Sequence, residues 1–282
     1  PEWGLEHKIE RLVTPPSRTK KIAVVGGGPA GMEAAILASR RGHQVTLYEK
    51  EARLGGLLNA VEGVDIKWTL IRFRDYLIRQ VEKSAVELRL NIAADPAMLR
   101  REGYDEVIVA IGSQPACPPI PGICGENVIP AVEAAAREEE MDRRVVVVGG
   151  GEIGVEMGLH LARKGHQVTL LEMGPILSPE SVPVHFRSLF EQAWEHQDGF
   201  TYHLNARCTA ISPEGVTYVD AAGEECAVPA GTVILAAGMK ARQEEAMAFL
   251  DGTVRTHMIG DCNKVGSVQT AMRAAFALAN YL

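Results

Sequence analysis

The sequence predicts an α/β chain of two parallel-sheet domains, and three observations carry that expectation. At 282 residues the chain exceeds the roughly 100–200 residues of one domain. One βαβ unit is written twice. Each copy sets a glycine cluster between an apolar strand and a small-residue helix. The first copy, residues 21–49, reads KIAVVGGGPAGMEAAILASRRGHQVTLYE, and the second, residues 144–172, reads RVVVVGGGEIGVEMGLHLARKGHQVTLLE. They align without a gap at an offset of 123 residues and share the hexamer GHQVTL.

Within each copy the elements follow from residue type. The β-branched runs 22–25 and 145–148 suit strands buried on both faces of a parallel sheet. Ala, Leu and Met at helical spacing follow the glycines, and Gly42 or Gly165 ends the helix as a left-handed cap. A second strand, 44–48 or 167–171, then stops at an acid. Elsewhere, 106–111 (EVIVAI) and 232–237 (TVILAA) read as buried strands, each followed by glycine. Residues 67–84 have helical spacing with basic residues interleaved, and 133–144 reads as a solvated helix. Turn signals within 197–229 predict short antiparallel strands, and the proline-rich stretch 114–121 predicts an extended crossover.

Gly26-x-Gly28-x-x-Gly31 supplies a tight turn, a close backbone approach for a pyrophosphate and close helix–strand packing. Such a pyrophosphate sits on the helix N-terminus, whose free amides and dipole favour negative charge. Glu49 is placed to accept hydrogen bonds from an adenosine ribose. Gly149-x-Gly151-x-x-Gly154 with Glu172 repeats the arrangement. An acid there repels the 2′-phosphate of NADP and accepts from a free 2′-hydroxyl, so NAD(H) is favoured over NADP(H). Glu152 and Ile153 fall on the nicotinamide side of that loop.

Two dinucleotide folds in one chain resemble the flavoprotein pyridine nucleotide-disulfide oxidoreductase superfamily. The closer resemblance, carried by HKIERLVTPPSRTKKIAVVGGGPAGMEAA, is to the C-terminal FAD/NAD(P)-binding module of old-yellow-enzyme-like NADH:flavin oxidoreductases. That group includes 2,4-dienoyl-CoA reductase and trimethylamine dehydrogenase-like enzymes. The resemblance implies two Rossmann-like domains, the NAD domain inserted in the FAD domain. Residues 1–20 become a linker remnant, 21–114 and 241–282 the FAD-binding domain, and 115–240 the NAD(H)-binding domain. Gly260-Asp261 resembles the late GD motif whose aspartate holds a ribityl hydroxyl. Val268, Gln269 and Thr270 open a helix whose amides face the flavin pyrimidine edge. Gly55, Gly56 and Leu57 follow the first acid toward the flavin, and Ala110, Gly112 and Gly238 mark crossover turns. Pro29, Ala30 and Lys50 complete the residues expected at FAD. The resemblance further implies hydride transfer from NADH, with electrons passing to an FMN/[4Fe–4S] TIM-barrel domain of the same parent chain. No side chain is expected to act as a catalytic acid or base.

Composition narrows the alternatives. A net charge of −7 argues against a nucleic-acid partner or an anionic membrane surface. No apolar run reaches the roughly 18 residues of a membrane helix, and the five scattered cysteines read as reduced thiols, which points to the cytoplasm. No CxxC or Cys-x4-Cys pair is present, no histidine spacing suits a metal, and Cys262 reads as packing. Two other readings stay open: a non-redox module that holds FAD or ADP, and a free-standing NADH-dependent flavin reductase subunit.

Overall fold

A computed structural model of the chain describes residues 13–178 and 184–282, with the backbone alone for 184–189. The expectation of a linker at 1–20 therefore lies, for residues 1–12, outside the described residues. The first eight strands are β1 (Lys21–Val25), β2 (Gln44–Tyr48), β3 (Glu87–Arg89), β4 (Glu106–Val109), β5 (Ser113–Pro115), β6 (Val128–Pro130), β7 (Arg144–Val148) and β8 (Gln167–Leu171). There follow β9 (Phe200–His203), β10 (Arg207–Ser212), β11 (Gly215–Val219), β12 (Glu225–Pro229), β13 (Thr232–Leu235), β14 (Met239–Ala241) and β15 (Arg255–Met258). The described helices are α1 (Pro29–Arg41), α2 (Trp68–Lys83), α3 (Pro96–Glu102), α4 (Ala131–Ala134), α5 (Glu152–Arg163), α6 (Val184–Glu195), α7 (Gln243–Met247) and α8 (Val268–Tyr281).

The chain folds into two compact units. One runs up to Asn59 and includes Thr69–Gln114 and Met239–Leu282; the other comprises Ala60–Trp68 and Pro115–Gly238. In the first unit a parallel sheet has the order β15-β4-β1-β2-β3. The second holds a parallel sheet of order β6-β13-β7-β8-β9 and an antiparallel sheet β10-β11-β12.

Strand alternation builds a core on each face of both sheets. Ile22 and Val24 of β1 join one cluster with Met32, Leu47, Leu77 and Ile108, whereas Ala23 and Val25 join the opposite one with Tyr48, Leu99 and Val109. In β7, Val145 and Val147 pack with Leu159 and Trp194, while Val146 and Val148 pack with Tyr218 and Val233. Runs without polar alternation are what a sheet covered on both faces requires. Small residues let α1 and α8 pack closely through Ala34, Ala35, Ala38, Ala271 and Ala275. Arg41 closes that contact by donating from Nη1 to the Ala279 carbonyl at 3.0 Å.

The duplication extends past the two acids. The Gly55 amide donates to the Gly27 carbonyl at 2.9 Å, and Ser178, 123 residues on, donates to the Gly150 carbonyl at 2.8 Å. Further along, Leu90-Asn91 and Leu204-Asn205 occupy matching places after β3 and β9. Both asparagines adopt the left-handed conformation, with φ of 57° and 53°. Their amides donate to the carbonyls of Glu51 and Gly174, at 3.1 and 2.9 Å. Ile92 and Ala206 then donate to the carbonyls of Glu49 and Glu172, at 2.9 and 2.8 Å.

Three expectations change. Phe200–His203 is parallel to β8, not antiparallel, because α6, which the pattern did not reveal, supplies the crossover that parallel pairing needs. The 133–144 stretch is one turn of α4 followed by a 3-10 segment, Ala135–Glu140, and Ala134 is fully buried. Segment Ala60–Trp68 belongs with the second unit, whose core takes in Val64 and Ile66.

The glycine loop sets a direct stability test. A β-carbon at Gly154 would overlap the Gly149 carbonyl oxygen and lie 3.1 Å from the Ala236 side chain, whereas one at Gly151 meets nothing within 4 Å. Gly154→Ala is expected to cost about 1–3 kcal/mol of overpacking, lowering the calorimetric midpoint by roughly 3–10 °C. Gly151→Ala is expected to leave it unchanged; equal midpoints for both variants would contradict the packing argument.

Candidate cofactor-binding sites

In the first unit the site begins where β1 ends. Gly26 donates from its amide to the Tyr48 carbonyl at 2.8 Å, and a methyl group on Gly31 would overlap the Gly26 carbonyl oxygen. That close crossing aims the start of α1 across the carboxyl ends of β1 and β2. Gly28 is the N-cap and offers no side chain, with Pro29 as the first helical residue. The amides of Ala30 and Gly31 in that turn suit a pyrophosphate. By contrast, α3 is capped by the Asp95 carboxylate and α8 by Ser267.

Glu49, 7% exposed, braces this loop. Its Oε2 accepts from the Gly27 amide at 2.7 Å and its Oε1 from the Glu51 amide at 2.8 Å. Each oxygen retains a second acceptor direction, so ribose hydroxyls can still donate to it. Gly55 and Gly56 fold back over the loop, where a β-carbon on Gly56 would lie 2.9 Å from the Gly28 α-carbon. Leu57 is partly exposed beside them, and Lys50 points outward into an ion pair with Glu51 at 3.7 Å. A β-carbon on Gly26 would overlap the Ala110 carbonyl oxygen, so Ala110 lies against the loop, with the Gly112 turn two residues on.

Asp261 follows the Gly260 turn in the same unit. Its Oδ2 accepts from the Ser113 hydroxyl at 3.1 Å and its Oδ1 from the Gly266 amide at 3.1 Å. It thereby ties the end of β4's crossover to the start of α8, where Val268 and Gln269 form the first turn. Thr270 is engaged in a capping box: its hydroxyl accepts from the Ser267 amide at 2.9 Å, and its amide donates to the Ser267 hydroxyl at 3.3 Å. Cys262 is buried, its thiol donating to the Val109 and Ile259 carbonyls, and burial pushes it above the ordinary thiol range. Both features agree with a packing role.

The second unit repeats the design. Glu172 Oε2 accepts from the Gly150 amide at 2.6 Å and Oε1 from the Gly174 amide at 2.5 Å. Gly151 caps α5 without a side chain, and a methyl on Gly154 would overlap the Gly149 carbonyl. Ile153, Met173 and Ile176 leave an exposed apolar rim about the loop. Gly238 turns the chain with φ of 96°, its carbonyl accepting from the Ala116 amide at 2.9 Å.

A cluster that the sequence did not reveal lies on α5. Lys67 Nζ donates to Glu152 Oε1 at 3.0 Å and also pairs with Glu156. Glu152 therefore already has a partner, and Lys67, at the start of the stretch whose spacing predicts a helix, lies just ahead of α2 with nothing in that pattern to pair it with α5. The available signal was the i, i+4 spacing of Glu152 and Glu156, which puts both acids on one helix face. Burial opposes the Lys67 charge, but the two carboxylates hold it above the ordinary lysine value. Burial pushes Glu156 up to about 7 against the pull of Lys67.

Because the folded carboxyl titrates above its ordinary 4.5, its contribution to stability is intact below that value and is lost as pH rises through 7. Glu156→Gln cannot ionise. Across about pH 5 to 8 it is therefore expected to gain stability relative to the wild type, on the order of 1–3 kcal/mol. Denaturant melts at several pH values measure this, and a pH-independent difference would contradict the shift.

Among the described residues no helix is long and apolar enough to cross a membrane, and no His, Cys, Asp and Glu group is arranged to hold a metal. The profile for pyridine nucleotide-disulphide oxidoreductase matches residues 20–275. The chain is 36% identical over 277 residues to bilirubin reductase of Mediterraneibacter gnavus, covering 98% of this chain and 43% of that protein. It is also 36% identical over 265 residues to NADH oxidase of Thermoanaerobacter brockii, covering 92% and 40%. A solved 2-naphthoyl-CoA reductase superposes with a TM-score of 0.89 at 28% identity, covering 96% of this chain and 41% of the other. The chain thus spans about two fifths of the length of these relatives. The match of that family's profile over residues 20–275 and the 36% identity to these relatives show that the chain belongs to the pyridine nucleotide-disulphide oxidoreductase family, FAD- and NAD(P)H-dependent flavoproteins.

Proposed function

We propose that this chain is an electron-input module that takes a hydride from NADH. In this reading FAD lies across the first loop (Gly26, Gly28, Gly31, Glu49), with Asp261 and the start of α8 toward its flavin end. NADH lies on the second loop (Gly149, Gly151, Gly154, Glu172). The observation that carries the reading is the identical bracing of both loops: an acid at a strand end holds the glycine amide, and an uncapped helix start is left for phosphate.

Bound FAD supplies the hydride acceptor. The chain's residues orient and hold. Gly27 and Gly150 fix Glu49 and Glu172, and these present their remaining acceptor directions to ribose hydroxyls. The first turns of α1 and α5 neutralise pyrophosphate charge. The start of α8 places positive helix-dipole charge where the flavin gains negative charge. No side-chain acid or base is required, so positioning is the protein's share of the catalysis. The greater length of the relatives supports onward passage of electrons to an FMN/[4Fe–4S] barrel domain of the parent chain.

Glu172 decides the nicotinamide cofactor in this reading, since its carboxylate repels a 2′-phosphate. Glu172→Arg is expected to lower kcat/KM for NADH, raise it for NADPH, and move their ratio by tenfold or more in steady-state assays. An unchanged ratio would sink the ribose assignment.

A further inference from the structure

Three arginines lie along α2, and one differs from the others. Arg72 and Arg79 are exposed, whereas Arg74 is buried at 7% exposure. A guanidinium taken out of water needs directed partners to offset its lost hydration. Arg74 donates from Nε to Asp75 Oδ1 at 2.9 Å, with Nη2 at 2.8 Å from the same oxygen, and from Nη1 to Asn59 Oδ1 at 3.1 Å. Asn59 in turn donates from Nδ2 to the Leu54 carbonyl at 3.2 Å.

That chain of bonds ends on the loop folded over the first glycine turn. Leu54 is buried, Gly55 donates to the Gly27 carbonyl at 2.9 Å, and Gly56 approaches Gly28. A β-carbon on Gly55 would come within 2.9 Å of Arg74 Cδ and would overlap Asn59 Oδ1. The missing side chain at Gly55 is what lets the arginine pass directly beneath the loop. We infer that Arg74 is a positioning residue for FAD, acting through Asn59 to hold the 54–56 loop closed on Gly27 and Gly28.

The inference rests on the reading that FAD lies across the first glycine loop, and the test separates the two. FAD is titrated into the apoprotein of the full chain, followed by flavin fluorescence, for Arg74→Lys, Asn59→Ala, their double variant and Gly28→Val. A lysine cannot reproduce the arginine fork that reaches two partners at once. Each strut variant is expected to raise the FAD Kd tenfold or more. The double variant is expected to raise it no further than the larger single, since both act through one connection. NADH affinity at the second unit is expected to stay unchanged, which a general loss of fold would not allow. A Kd within twofold of wild type for the strut variants, with Gly28→Val abolishing binding, would overturn the inference. Unaltered binding by Gly28→Val would overturn the reading beneath it. Should Arg74→Lys fail to fold, Asn59→Ala decides alone, because it removes the connection and leaves the arginine in place.

Discussion

The contact on which most of the architecture depends is a carboxylate receiving the amide of a glycine turn. Glu49 holds Gly27 at 2.7 Å, and Glu172 holds Gly150 at 2.6 Å. A charged acceptor makes each bond stronger than a neutral one. The bond stops the turn from drifting away from its sheet, so the helix that follows is aimed across the strand ends. The same acids then present their remaining acceptor directions outward. In the proposed reading, bracing and recognition fall to a single side chain, so a substitution there disturbs both.

The small residues around this contact follow from it. A helix that must begin directly over its own strand leaves no room for a β-carbon at Gly31 or Gly154. The loops that close over the turns come from the same duplicated plan, through Leu54-Gly55 in one unit and Leu177-Ser178 in the other. In the first unit the Arg74–Asn59 strut adds a further tie, from α2 to the Leu54 carbonyl beside the closing loop.

Much of this was legible in the sequence because the governing interactions are local and repeated. Two gapless copies with glycines at fixed offsets disclosed the strands, the helices and both loops. The bracing role of Glu49 and Glu172 was not legible, since hydrogen bonding to a turn 22 residues upstream leaves no periodic mark. Lys67 was missed for a related reason. It reaches α5 from the Ala60–Trp68 segment, which groups with the second unit. The continued duplication at Leu90-Asn91 and Leu204-Asn205 escaped because the chain between the repeats differs in length. The shared left-handed asparagines and the matching amide–carbonyl bonds that flank them show that these places correspond. Arg74 looked like any other basic residue on a helix until its burial set it apart.

The central claim is that one chain holds both a flavin and a nicotinamide in productive use. Its most direct test is an anaerobic NADH titration of the purified chain loaded with FAD, followed by visible absorbance. Bleaching of the flavin band in proportion to added NADH, one equivalent per flavin, is the predicted result. A flavin band that NADH leaves untouched would contradict the claim.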